Sequence, residues 1–194
     1  MKGLGQEDDS QNKKDMTHVT NTSKEKLIEQ AFKFHSQGNI SEAKKYYKLF
    51  LDQGFSDDRV FSNIGQILKD QGNPKEAELN TRKAIEMNPS CAIYHSNLGG
   101  ILIDLANLKE SEVSTRKAIE LNPNFAIAHS NLGGILIDLD NLKEAEIATR
   151  KAIQLNPNIA KAHSNLGNIL RDLGNLKEAE IATRKAISSF YLNY

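Results

Sequence analysis

The amino-acid sequence predicts an all-α protein, a solenoid of stacked helical hairpins, and three observations carry that expectation. Residues 92–125 and 126–159 differ at only 7 of 34 positions. The same 34-residue frame takes in 24–57, 58–91 and 160–194, giving five units in a row. Within a unit, apolar residues at positions 4, 7, 8 and 11 fall on one stripe at ~100° per residue, which marks an amphipathic helix. A segment of this length is one helix-turn-helix, and it buries its apolar side only by stacking on its neighbours.

In the clearest copy the recurring residues are His129, Leu132, Gly133, Leu136, Ala145, Thr149, Ala152 and Pro157. This pattern, His-x2-Leu-Gly-x2-Leu, then Ala-x3-Thr, then Ala and Pro, resembles the tetratricopeptide repeat. The resemblance implies a right-handed superhelical solenoid in which the first helix of every unit, helix A, lines a concave groove. The family's large aromatic positions hold His, Leu and Thr here, so smaller contacts are expected between hairpins. The chain has no Trp.

Element by element, residues 1–23 are polar and offer too little apolar surface to offset the entropy of ordering them, so a disordered tail is expected. Helix A of the fourth unit is expected from about Ala126 to Leu139. Asn141 and Glu144 then form a capping-box-like start for helix B. In the second unit Pro74 suits a first helical position, where a missing N–H has no partner to lose. Helix B carries Glu78 with Arg82, Glu112 with Arg116, Glu146 with Arg150 and Glu180 with Arg184, each at i, i+4, and these keep the outer face soluble. Each middle unit closes on Asn-Pro, at Asn88, Asn122 and Asn156, where the residue before proline leaves the helical region. The first unit is atypical, with Gln30 and Phe50 where Leu and Ala recur. The last unit ends in Ser188 to Tyr194, without Asn-Pro and without a capping helix. That short aromatic end is expected to fold back as a minimal cap, to mediate self-association, or to mark a chain cut from a longer ancestor.

Charge narrows the partners. Lys plus Arg and Asp plus Glu number 25 each, so no positive field condenses on nucleic acid or anionic lipid. No apolar run approaches the ~18 residues that span a bilayer, and residues 1–23 lack a signal-peptide block; a cytoplasmic protein is expected. Cys91 is the single cysteine, which excludes an internal disulfide.

The candidate binding residues are two ladders on helix A. One is Asn63, Asn97, Asn131 and Asn165 at position 6, and the other is Asp70, Asp104, Asp138 and Asp172 at position 13. An amide both donates and accepts, so spaced asparagines can pair with successive peptide groups of an extended chain. Glycine at position 9 lets that chain approach closely. The first ladder resembles the asparagine ladder in the repeat superhelix of O-linked N-acetylglucosamine transferases, which implies peptide contacts for those four residues. The alternative, that Asn at position 6 serves only the fold, stays open. Arrays that clamp a terminal carboxylate carry Lys at position 5, whereas this chain has Ile28, Ser62, Ser96, Ser130 and Ser164 there. The aspartates would repel such a group, so a neutral or basic extended segment is expected.

Chemistry is not expected. His95, His129 and His163 recur at position 4, but hairpins ~10 Å apart cannot bring three imidazoles within ~2.1 Å of one zinc ion. Packing is their expected role, with no metal and no cofactor. Neighbours such as His129 and Ser130 point in different directions on a helix and make no nucleophile and base pair. The chain is therefore read as a non-catalytic scaffold that binds a protein or peptide in its groove. Similar arrays also precede glycosyltransferase, sulfotransferase or methyltransferase domains. The alternative reading is thus the substrate-presenting N-terminal part of a transferase, carrying an enzyme's name by similarity but no catalytic residues.

Overall fold

The computed structural model describes residues 23–191. The expected tail lies outside the described residues except for Ser23, as do Leu192, Asn193 and Tyr194 and the side chains of Phe190 and Tyr191. The described residues form ten helices and no strand, an all-α repeat solenoid. These are α1 (23–36), α2 (Ile40–Asp52), α3 (Asp58–Asp70), α4 (Pro74–Met87), α5 (Ala92–Asp104), α6 (Leu108–Leu121), α7 (Ala126–Asp138), α8 (Leu142–Leu155), α9 (Ala160–Asp172) and α10 (Leu176–Tyr191). They fall into two units, with the boundary inside α3 after Val60.

The first unit has an aromatic core. Ala31, Ala43, Tyr47 and Phe50 are fully buried, so the atypical Phe50 fills space that alanine leaves to neighbours elsewhere. Phe32 meets Tyr47 edge-on at 6.1 Å, and the Tyr47 hydroxyl and His35 Nδ1 hydrogen-bond at 2.8 Å. The Arg59 guanidinium lies 5.0 Å from the centre of the Phe32 ring, a cation over an aromatic face.

In the second unit α5, α7 and α9 lie side by side in one layer. The helices α4, α6 and α8 each pack in the other layer against the following member of the first, and α10 packs on α9. Membership of the inner layer widens the buried stripe of helix A beyond the expected positions. Tyr94, Ala128 and Ala162 at position 3 and Ile101, Ile135 and Ile169 at position 10 are buried alongside Leu98, Leu132 and Leu166. A helix with neighbours on three sides needs apolar residues around more of its circumference than the stripe that faces its own partner.

Two local devices set the hairpin. The first is the turn between its helices. Position 15 takes a positive φ in every copy, at Gly38, Gly72, Ala106, Asp140 and Gly174. The chain then closes with Ala106 N–H on Ile103 O and Asn107 N–H on Leu102 O, both at 2.9 Å, and the other copies repeat this pair. That is a Schellman ending, which satisfies the last carbonyls of helix A. The expected capping box has a different chemistry here. The amides of Asn107 and Asn141 donate to the carboxylates of Glu110 and Glu144, at 2.8 and 3.0 Å, and make no bond to backbone N–H. At α2, by contrast, Asn39 accepts from Glu42 N–H, at 3.3 Å.

The second device is the crossing of the two helices. A Cβ at Gly65, Gly99 or Gly133 would stand 2.2 to 2.4 Å from the hydroxyl of Thr81, Thr115 or Thr149. The Thr that replaces the family's aromatic ring thus meets a bare glycine, and the two backbones close on one another. Those three hydroxyls are buried without a hydrogen-bond partner. Helix B ends as expected at Asn88, Asn122 and Asn156, which are extended or nearly so. Without Asn-Pro, α10 continues to Tyr191 and reaches 16 residues.

Candidate functional site

The candidate site is the exposed side of the inner helices. Asn97, Asn131 and Asn165 sit half-buried at the seams between neighbouring helices. Asn97 donates to the Ser62 hydroxyl at 3.3 Å, Asn131 to the Ser96 hydroxyl at 3.4 Å, and Asn165 to the Ser130 carbonyl at 3.1 Å. Asn63, also half-buried, has a partner as well. The ladder therefore has a structural duty: at Asn97, Asn131 and Asn165 the Nδ2 ties one repeat to its predecessor. Ser62, Ser96 and Ser130 are buried under these contacts, and Ser164 is exposed.

The aspartates are all exposed. Asp70 accepts from Gln66 at 2.8 Å, Asp104 lies 3.5 Å from Lys69 Nζ, and Asp172 lies 3.4 Å from Arg171 Nε. Position 2 places Lys161 on the same face in the sequence, but its reach is decided by the fold. Lys161 reaches back from position 2 of the fifth unit and donates to Asn131 Oδ1 at 3.2 Å. Although its surface is open, its ammonium is held below the ordinary lysine range. The groove walls displace water around it and Lys69 adds a like charge, while Asp104 and Asp138 oppose both. Lys69 and Lys161 thus moderate the acidic ladder near its middle. Ile93 and Ile127, each 54% exposed, add apolar surface to the same side.

The two glycine positions of helix A differ in kind. Gly99 and Gly133 are required by the threonines beneath them. Gly100 and Gly134 are not, because a Cβ there would meet nothing nearer than Lys69 Cε at 3.7 Å and Asn165 Nδ2 at 3.5 Å. Glycine inside a helix costs about 1 kcal/mol relative to alanine, and packing does not explain its presence at these two points.

The position-4 histidines have a defined partner. The ring Nε2 of His95, His129 and His163 lies 2.8 to 2.9 Å from the carbonyl of Pro89, Pro123 or Pro157. A carbonyl only accepts, so Nε2 carries the proton, and each imidazole anchors the turn that precedes its own helix. Among the described residues no group of three His, Cys, Asp or Glu side chains is placed to hold a metal ion. No helix of the described residues is long and apolar enough to cross a membrane.

Family models of the tetratricopeptide repeat match residues 58–91, 92–125, 126–159 and 148–181. The chain belongs to the tetratricopeptide repeat family. No curated protein matches it. Solved tetratricopeptide repeat structures share its fold at low identity. MamA from Desulfovibrio magneticus RS-1 is 20% identical with a TM-score of 0.72, over 87% of this chain and 95% of that one. PilF of Pseudomonas aeruginosa is 19% identical with a TM-score of 0.75, over 87% and 77%. The Thermus thermophilus tetratricopeptide repeat protein TTC0263 is 17% identical with a TM-score of 0.71, over 86% and 91%. The tetratricopeptide architecture is a protein-interaction scaffold: its recurring helix A gives one surface with the same groups at a fixed interval.

Proposed function

We propose that this tetratricopeptide repeat chain is a non-catalytic adaptor that holds an extended partner segment along helices α5, α7 and α9. The observation that carries the reading is the pair Gly100 and Gly134. Both stand on the exposed side of helix A without a steric reason, and a bare backbone is what a main chain lying across two helices needs in order to approach. Asn97 and Asn165 spend Nδ2 on the neighbouring unit and keep Oδ1 as an acceptor for a peptide N–H; at Asn131 Lys161 donates to that oxygen, and an incoming peptide would displace it. Asp70, Asp138 and Asp172 favour basic side chains in the bound segment, and Lys69 and Lys161 limit that preference near the centre. The partner is thus a neutral to moderately basic extended peptide with small or apolar residues over Ile93 and Ile127.

The test is selection of linear peptides from a displayed random library, followed by titration of the best binder. Gly100→Ala and Gly134→Ala add only one methyl group each, at ordinary van der Waals distance from Lys69 and Asn165. Each is expected to preserve or raise thermal stability while weakening the peptide about tenfold, ~1.4 kcal/mol. Unchanged affinity in the double variant, or selection of peptides that ignore the groove, would make the reading wrong. These two substitutions separate binding from folding better than Asn131→Ala, which also breaks a tie between units.

A further inference from the structure

A second surface lies on the opposite side of the molecule, on the outer layer, and owes nothing to the groove. Leu79, Val113, Ile147 and Ile181 recur at position 22 of their units and are 58%, 67%, 70% and 57% exposed. They form a ridge of apolar side chains, one per outer helix, on a face otherwise occupied by ion pairs. Next to the ridge are recesses of matching design. One, of about 480 Å³, is lined by Ile119, Leu132, Ile147 and His129 together with the charged Arg116, Glu120, Glu144 and Lys151. The other, of about 360 Å³, repeats it one repeat later with Ile153, Leu166, Ile181 and His163, together with the charged Arg150, Glu178 and Lys185. Ile147 and Ile181 are thus each the wall of a recess.

We infer that this outer face is the contact between two copies of the chain, packed back to back about a two-fold axis, with position-22 side chains of one copy seated in the recesses of the other. Three features select a second copy as the occupant. Knobs and holes occur on one face at one interval, so the face turned over by a two-fold axis is complementary to itself, as an isologous interface demands. Three arginines of the face are already paired within the chain, each with two glutamates. Arg82 joins Glu78 and Glu110 at 2.7 and 2.6 Å, Arg116 joins Glu112 and Glu144 at 2.8 and 2.7 Å, and Arg150 joins Glu146 and Glu178 at 2.8 and 3.3 Å. Groups paired in this way neither repel a copy nor ask for an oppositely charged partner. The area also suffices. The helices α4, α6 and α8 are 14 residues long, hence ~21 Å at ~1.5 Å per residue. Four outer helices at ~10 Å spacing span ~30 Å, so each copy contributes a footprint of ~600 Å² and the pair buries ~1,200 Å², the lower bound for a specific interface.

The experiment is sedimentation equilibrium of the full chain from low micromolar to several hundred micromolar. The expected result is a mass that rises from 21.6 kDa to twice that value and stops. Val113→Asp with Ile147→Asp, both on exposed positions, is expected to weaken the dimer at least a hundredfold at unchanged helicity. Asn124→Asp with Asn158→Asp, the same charge change in exposed turns, leaves it intact. A monomer at every concentration would overturn the inference, as would a dimer that survives the double substitution. A mass that climbs past the dimer without a plateau would also overturn it, since that is the mark of end-to-end stacking. None of these results bears on peptide binding in the groove.

Discussion

Ala106 holds a φ of 56° at a turn where three of the other four copies use glycine. The left-handed conformation brings an L-residue's Cβ against the following carbonyl and costs about 1–2 kcal/mol. Asp140, at 60°, tolerates it better because short polar side chains are enriched there. Ala106→Gly is therefore expected to stabilise the chain by about 0.5–1 kcal/mol, relief of strain less the extra entropy of glycine in the unfolded state; equilibrium urea denaturation measures it. The opposite change at Gly133 has the opposite sign. A methyl group there would stand 2.2 Å from the buried Thr149 hydroxyl, and overpacking of this kind costs about 1–3 kcal/mol. Thr149→Ala removes the obstacle and forfeits no hydrogen bond, because that hydroxyl has no partner. The double variant is thus expected to recover most of the loss, and additive losses in the double-mutant cycle would show that the two residues do not meet. The repeat pattern made Gly133 and Thr149 recognisable as recurring positions. Their contact was not legible, because glycine and threonine sit 16 residues apart on different helices and only the helix crossing brings them together.

At the scale of the helix, the i, i+4 pairs on helix B were read from spacing alone, and they are present. Spacing did not show that Arg82, Arg116 and Arg150 each reach a second glutamate 28 residues onward. Hydrogen bonds to Glu144 and Glu112 hold the Arg116 guanidinium still further into its charged range, against partial desolvation. Both partners remain about 40% exposed, so the tie is modest. Arg116→Met is expected to cost roughly 0.2–1 kcal/mol at low ionic strength and less in 0.5 M salt, checked by urea denaturation at the two salt concentrations. A cost that does not fall with salt would assign the arginine to packing through its methylene stem. Position 22 shows the same limit. Apolar residues there are visible in the sequence, but whether a helix position is covered or bare depends on which helices flank it.

Across the whole molecule, units are held by the same few contacts repeated, so stability accumulates from neighbour to neighbour and no central core secures the ends. The fifth unit leaves Leu176 65% and Ile187 55% exposed, whereas Leu108, Leu142, Ile119 and Ile153 at the same positions are partly covered. Amides of α9 and α10 are accordingly expected to exchange with solvent sooner than those of α7 and α8, by native-state hydrogen exchange. Uniform protection along the array would mean that the chain unfolds as one cooperative block.

The sequence by itself determined the helical hairpin, its interval, its turns and the side of each helix that faces inward, because a 34-residue period and a 3.6-residue helical repeat are properties of a chain read in order. Tertiary structure alone decided that the asparagine ladder binds its neighbours as well as facing outward, that Lys161 reaches back among the aspartates, and that an apolar ridge stands uncovered on the outer layer. The first two depend on residues 30 to 35 positions apart meeting across a seam, and the third on which helices flank the outer ones. In each case the distance between helices, set by how they pack, decides the outcome.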